Sequence, residues 1–149
     1  MTETQEAQGR PEVEGVDGSK PSKSALRWAA RYAKETGKTV HAIIAWERPI
    51  MFAGELPAGL DEDFAADARA MLISAVGETL GPTPAVKIRS STFEGHAAAV
   101  LVREARGADI LAVGNRGLSP IIELMLGSVS LHCVTHAPCP VTVVRKSPE

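Results

Sequence analysis

Apolar residues along the chain fall into short continuous runs alternating with stretches of helical spacing, a pattern that predicts five strands separated by helices. Val13 to Asp17 reads as a first short strand, and Ser22 to Lys34 as a helix with Leu26, Ala29, Ala30 and Ala33 on one face, closed by Gly37. Val40 to Trp46 is apolar enough for a strand buried on both faces. The stretch 47–60 carries Pro49, Gly54, Pro57 and Gly59 and reads as a surface loop. Asp61 opens a second helix, with Phe64, Ala65, Ala68, Met71, Leu72 and Ala75 at helical spacing and three acids in its first turn, and Gly81-Pro82 stops it. A third strand is predicted over Ala85 to Arg89 and a helix over Gly95 to Ala105, with Ala97, Val100, Leu101 and Ala105 inward. A fourth strand over Ile110 to Val113, a long loop, a helix capped by Ser128 and ending before Pro138, and a last strand over Val141 to Val144 complete the series. Strands alternating with helices imply an α/β fold: an open parallel sheet covered on both faces and joined by right-handed crossovers.

One position conflicts with that pattern. Glu14 lies inside the first strand, where both faces should be buried and an unpaired carboxylate is costly. Two outcomes are open: a paired or raised-pKa glutamate, or a strand frayed at its start.

The chain of 149 residues suits one domain, with residues 1–11 as a disordered polar leader, 12–146 as the folded unit and 147–149 as a tail. Sixteen basic and eighteen acidic residues leave a net charge of -2, which gives no footprint for nucleic acid. Neither a secretion signal nor a run of membrane-spanning length occurs, so the cytoplasm is the expected compartment. Cys133 and Cys139 match neither a Cys-x-x-Cys redox pair nor a zinc half-site and read as ordinary thiols; His132 and His136 beside Cys133 lack a convergent carboxylate, so no metal site is assigned.

Candidate chemistry gathers at strand ends, where open α/β sheets bind ligands. Asp17, in Val16-Asp17-Gly18-Ser19 after the first strand, is placed to accept hydrogen bonds from a ribose hydroxyl or to engage a base; Asp-Gly-Ser is also an ordinary turn leading into a helix. After the fourth strand, Gly114-Asn115-Arg116-Gly117 is followed by nine residues and then Gly127-Ser128-Val129-Ser130. Gly114 and Gly117 can bring backbone amides close to an anion or adopt positive φ, and Arg116 can reach phosphate oxygens. Gly127 clears the entrance of a helix, and the hydroxyls of Ser128 and Ser130 can donate to the same anion. The competing reading is a crossover whose glycines serve turn geometry alone. The loop is neither a Walker A sequence nor the Gly-x-Gly-x-x-Gly dinucleotide fingerprint, and apart from Glu123 it offers no further carboxylate, which argues against rapid phosphoryl transfer.

The spacing glycine, two residues, glycine, nine residues, glycine, serine resembles the nucleotide-binding class of universal stress proteins, with Gly114, Gly117, Gly127 and Ser128 at every fixed position. The resemblance runs from Val13 to Arg145 and includes Val16-Asp17-Gly18-Ser19, the run Ala108 to Val113, and His136 to Val141. It implies a five-stranded parallel sheet in the order 3-2-1-4-5 and homodimers that pair their last strands, here Val141 to Val144. It further implies ATP as ligand, with Mg2+ or Mn2+ as an optional companion. Asp17 would lie near ribose and base, Val16 and Ala45 near adenine, and Gly114, Arg116, Gly117, Gly127, Ser128, Val129 and Ser130 around ribose and phosphates. This chain departs from the family at Glu14, where a branched apolar residue is usual, and in its loop, which Pro120 stiffens and where Glu123 is expected to face solvent.

The leading expectation is an ATP-binding regulatory protein of the stress or dormancy response, acting through nucleotide-dependent conformation on a downstream protein partner. Two alternatives stand beside it: a slow ATPase or autokinase with Ser128 or Ser130 as acceptor, and a nucleotide-independent dimerisation module.

Overall fold

The structure is a computed structural model that describes residues 11–48, 59–115 and 126–145. The expected leader and tail, most of the 47–60 loop, and Arg116, Gly117, Pro120 and Glu123 lie outside the described residues. Five parallel strands, β1 (Glu12–Gly15), β2 (Val40–Trp46), β3 (Ile88–Glu94), β4 (Leu111–Gly114) and β5 (Val141–Val144), form one sheet in the order β3-β2-β1-β4-β5. Among the described residues four helices connect them: α1 (Lys20–Thr36), α2 (Leu60–Leu80), α3 (Ala97–Glu104) and α4 (Ser128–His136).

Strand alternation sends successive side chains to opposite faces and so builds two cores. Val16, Val40, Ala42, Ile44 and Ala112 pack with Leu26, Ala29 and Ala33 of α1 and with Ala68, Leu72 and Ala75 of α2. Val13, Ile43, Leu111 and Val113 pack with Val100 and Leu101 of α3 and with Cys133 of α4. In α3 the inward alanine is Ala98, not Ala97, and in α2 Met71 is 46% exposed. Met71 instead rests near Gly18, its sulfur 3.7 Å from where a Cβ on that glycine would sit.

The third strand departs most from expectation. It lies at Ile88–Glu94, not Ala85 to Arg89, and pairs with all seven residues of β2, from Val40↔Ile88 to Trp46↔Glu94. Ile88 and Arg89 are common to both ranges, and the strand runs on through the polar residues Ser90-Ser91-Thr92, which an edge position tolerates. The opposite edge is β5. Leu111 N–H donates to Pro140 O at 2.9 Å and Asn115 N–H to Val144 O at 3.0 Å. Alternation therefore turns the N–H and C=O of Val141 and Val143 away from β4, toward the open edge.

β1 begins at Glu12 and ends at Gly15, so it is not frayed at its start. Glu12 and Glu14 are both wholly buried, and none of their four carboxylate oxygens has a hydrogen-bond partner among the described residues. Glu14 pairs in register with Ala42 on one side and Ala112 on the other, two small residues that leave room for it. Burial pushes the Glu14 carboxyl well above the ordinary carboxylate range, and the neighbouring charges of Glu12 and Asp17 push the same way. Burial raises Glu12 from 4.5 to about 8, against the pull of Lys38 and with a smaller push from Asp109. Lys38 and the Tyr32 hydroxyl both engage the Asp109 carboxylate, the latter at 2.9 Å. Of the two outcomes open for Glu14, the fold takes the raised-pKa one, with an acid that has no hydrogen-bond partner among the described residues.

Neutral acids in the folded strand make stability fall with pH. The unfolded chain loses these protons once pH passes about 4.5, whereas folded Glu12 keeps its proton to about 8. The contribution is therefore complete below the unfolded value and is lost progressively as pH rises toward the folded one. Urea denaturation between pH 5 and 7 is expected to show stability declining by about 1.4 kcal/mol per pH unit for Glu12, with Glu14 acting in the same direction. The double variant Glu12→Gln, Glu14→Gln should flatten that slope, and a slope unchanged by it would contradict the assignment.

Candidate functional site

The C-terminal ends of β1 and β4 lie side by side at the centre of the sheet, where the strand order reverses and an open α/β sheet is expected to form a ligand crevice. After β1 the chain turns through Asp17 and Gly18, whose φ of 81° suits a residue without Cβ, and enters α1 at its cap, Ser19. The Ser19 side chain accepts from Ser22 N–H at 3.2 Å, and Pro21 occupies the first turn, where its missing N–H costs little. Asp17 Oδ1 accepts from Ser19 N–H at 2.9 Å, the Asx arrangement expected of an Asp-Gly-Ser turn. Its other carboxylate oxygen has no hydrogen-bond partner among the described residues. The β1 end is tied to β2 by Val16 N–H donating to Ile43 O at 2.8 Å.

Val16 and Ala45 join different cores. The Val16 side chain is buried with α1 and α2, whereas Ala45 is half-buried against the α3 and α4 side. Only the backbone of Val16 is left to face the crevice.

The other wall is β4 and the start of α4. Gly114 is extended, and its lack of a side chain is required by packing: a Cβ there would lie 2.7 Å from Pro21 C and 2.8 Å from Ser22 N, backbone atoms in the first turn of α1. The Ser130 hydroxyl donates to Gly114 O in a buried bond, so its hydrogen is committed to the protein. Asn115 O accepts from Gly127 N–H at 2.8 Å, which brings the two ends of the loop together. Gly127, not Ser128, is the N-cap of α4; its φ of -64° and ψ of 159° are open to any residue, and no side chain caps the helix. Leu131 N–H is the first to return to the cap, at 3.0 Å from Gly127 O. The N–H groups of Ser128, Val129 and Ser130 thus meet no acceptor among the described residues. Ser128 is exposed, and Val129 is half-buried against the second core.

These amides form an anion-favouring terminus, and the spare Asp17 oxygen is a hydrogen-bond acceptor on the facing wall. Sequence reasoning did not single out Ser22, Pro21 or Asn115. The pattern Ser19-Lys20-Pro21-Ser22 carried the signal for the first two, because Ser followed by Pro within the first turn marks a helix start one turn earlier than Ser22. Asn115 had no such mark; its role is made by backbone bonds.

Two other clusters lack the geometry for chemistry. His41 Nε2 lies 2.8 Å from Ser91 Oγ, but Arg89 Nη2, which can only donate, lies 3.0 Å from Nδ1. The proton is therefore on Nε2, so the imidazole donates to Ser91 and does not activate it; burial and then Arg89 lower its pKa. On α4 the rings of His132 and His136 stack at 4.3 Å on the exposed face, while Cys133 points into the core with its thiol pushed up to about 11 by burial. Those three side chains do not converge.

The model of the universal stress protein family matches residues 13–145. A universal stress protein of Thermus aquaticus is 31% identical over 137 residues, covering 87% of this chain and 93% of its own. Another, from Mycolicibacterium smegmatis, is 31% identical over 141 residues, covering 88% of this chain; the chain spans under half the length of that relative, 46%. A solved universal stress protein in complex with cAMP superposes with a TM-score of 0.71 at 25% identity, covering 94% of this chain and 99% of that one.

If Gly114 is set by the approach of α1, Gly114→Ala is expected to cost about 1–3 kcal/mol, because backbone atoms must shift to admit the methyl group. A thermal melt should read this as a drop of several degrees, and an unchanged melting temperature would contradict the packing account.

Proposed function

Because the chain belongs to the universal stress protein family, we propose that it is a cytoplasmic, ATP-binding regulatory protein of the stress or dormancy response. Its nucleotide would sit across the ends of β1 and β4. The observation that carries this reading is that the amides of Ser128, Val129 and Ser130 and one Asp17 oxygen, on neighbouring strand ends, have no hydrogen-bond partner among the described residues. The amides would take phosphate oxygens, aided by Arg116 and by the backbone at Gly114, Gly117 and Gly127, and Asp17 would take a ribose hydroxyl. Adenine would lie along the backbone of Val16 and beside Ala45. The complex of a structural neighbour with cAMP supports an adenine nucleotide as the guest.

Bound ATP would bring its phosphate charge to the segment between Gly114 and Gly127, and a protein partner would read the surface that results. Mg2+ or Mn2+ would be held chiefly by the phosphates, since the described residues contain no cluster of three His, Cys, Asp or Glu able to hold a metal. No residue is assigned a catalytic role. With the Ser130 hydroxyl committed to Gly114 O, Ser128 is the hydroxyl left to face a phosphate.

Association is proposed to be a homodimer through β5, whose outward N–H and C=O groups at Val141 and Val143 would otherwise remain an open edge. Val143→Pro removes an outward donor without touching the bonds to β4, so the folded variant is expected to sediment as a monomer where the wild type sediments as a dimer. Wild-type protein that is monomeric at high micromolar concentration would contradict this interface.

Calorimetry with Mg-ATP tests the site. Gly127→Leu, which fills the helix entrance, should weaken binding by at least about tenfold, as expected when phosphate contacts worth more than about 1.4 kcal/mol are lost. Affinity equal to wild type would remove the phosphate assignment.

A further inference from the structure

One buried hydroxyl holds the Asp17 turn in place. Ser22 Oγ accepts from Asp17 N–H at 3.0 Å and donates to Gly15 O at 3.3 Å, so it bridges the chain on both sides of Val16. The backbone of the same residue donates to Ser19 Oγ, the helix cap, and abuts Gly114 of the facing wall. Ser22 is only 3% exposed and does not itself line the crevice. The Asp17 carboxylate is then aimed by a second, independent bond from Ser19 N–H.

We propose that Ser22 is a positioning residue for ligand recognition: by clasping the Asp17 backbone to the rigid first turn of α1, it fixes the direction in which the free Asp17 oxygen meets a ribose hydroxyl. The proposal rests on the nucleotide reading above and adds a residue that touches no part of the nucleotide. Loss of the hydroxyl leaves Asp17 N–H without its acceptor and Gly15 O without this donor, so the turn relaxes while the Asp17 charge stays. Ribose recognition should then suffer more than phosphate recognition, which depends on α4.

The experiment is calorimetry of wild type and Ser22→Ala with three probes: ATP, 2′,3′-dideoxy-ATP and inorganic tripolyphosphate. Wild type is expected to prefer ATP over the dideoxy analogue by about tenfold or more, the value of one hydrogen bond to a charged group. Ser22→Ala should reduce that preference to about threefold or less, with tripolyphosphate affinity within about twofold of wild type. Ser22→Thr, which keeps the hydroxyl, should restore the preference, and Ser22→Cys, near in volume and a weak donor, replaces the alanine variant if that one does not fold. A Ser22→Ala protein that keeps the full ribose preference, or one that loses tripolyphosphate to the same degree as ATP, overturns the positioning role while leaving the nucleotide site intact. Wild type that binds no ATP, or binds it without ribose preference, overturns the role of Asp17 and this role with it.

Discussion

The candidate site depends on the close approach of the first turn of α1 to the end of β4. Gly114 permits it: with no Cβ, the strand backbone lies directly against Pro21 and Ser22. That contact joins the two walls of the crevice, since Ser22 holds the Asp17 turn and Gly114 O holds the Ser130 hydroxyl at the start of α4. Two buried serines therefore act as pins, and the groups left over, the α4 amides and one carboxylate oxygen, have no hydrogen-bond partner among the described residues. Preorganisation of this kind reduces the ordering cost that binding would otherwise carry.

The central strand works against its own stability. Glu12 and Glu14 occupy the core face beneath α1, and the fold tolerates them as neutral acids with no hydrogen-bond partners among the described residues. Small neighbours, Ala42 and Ala112 in register with Glu14, supply the volume. The turn bearing Asp17 is carried by this same strand, and the Asp17 charge is one of the influences holding Glu14 in its neutral form. The candidate site and strand protonation thus share a few residues at the middle of the sheet.

Much of the architecture was legible in the sequence because apolar periodicity and glycine punctuation agree. β2 and β5 fall at their expected bounds, and the order 3-2-1-4-5 implied by the family resemblance is the observed one. β3 was displaced because an edge strand needs no apolar alternation, so Ser90-Ser91-Thr92, beyond the expected end at Arg89, carries no strand signal. The Asx turn at Asp17 follows from local chemistry and could be read directly. The commitment of Ser130 to Gly114 O, and the dependence of Gly114 on α1, could not, since both arise between segments far apart in the chain. Nor could spacing separate a glycine kept for helix packing from one kept for a ligand.

The most direct test follows backbone amides by NMR as Mg-ATP is added to the full chain. The account predicts that the resonances of Ser128, Val129 and Ser130 shift together with those of Asp17 and Gly18, along one saturating curve, while residues at the opposite ends of the strands, such as Lys38 and Asp109, stay in place. Shifts confined to other surfaces, or α4 amides that do not move at saturating nucleotide, would contradict it.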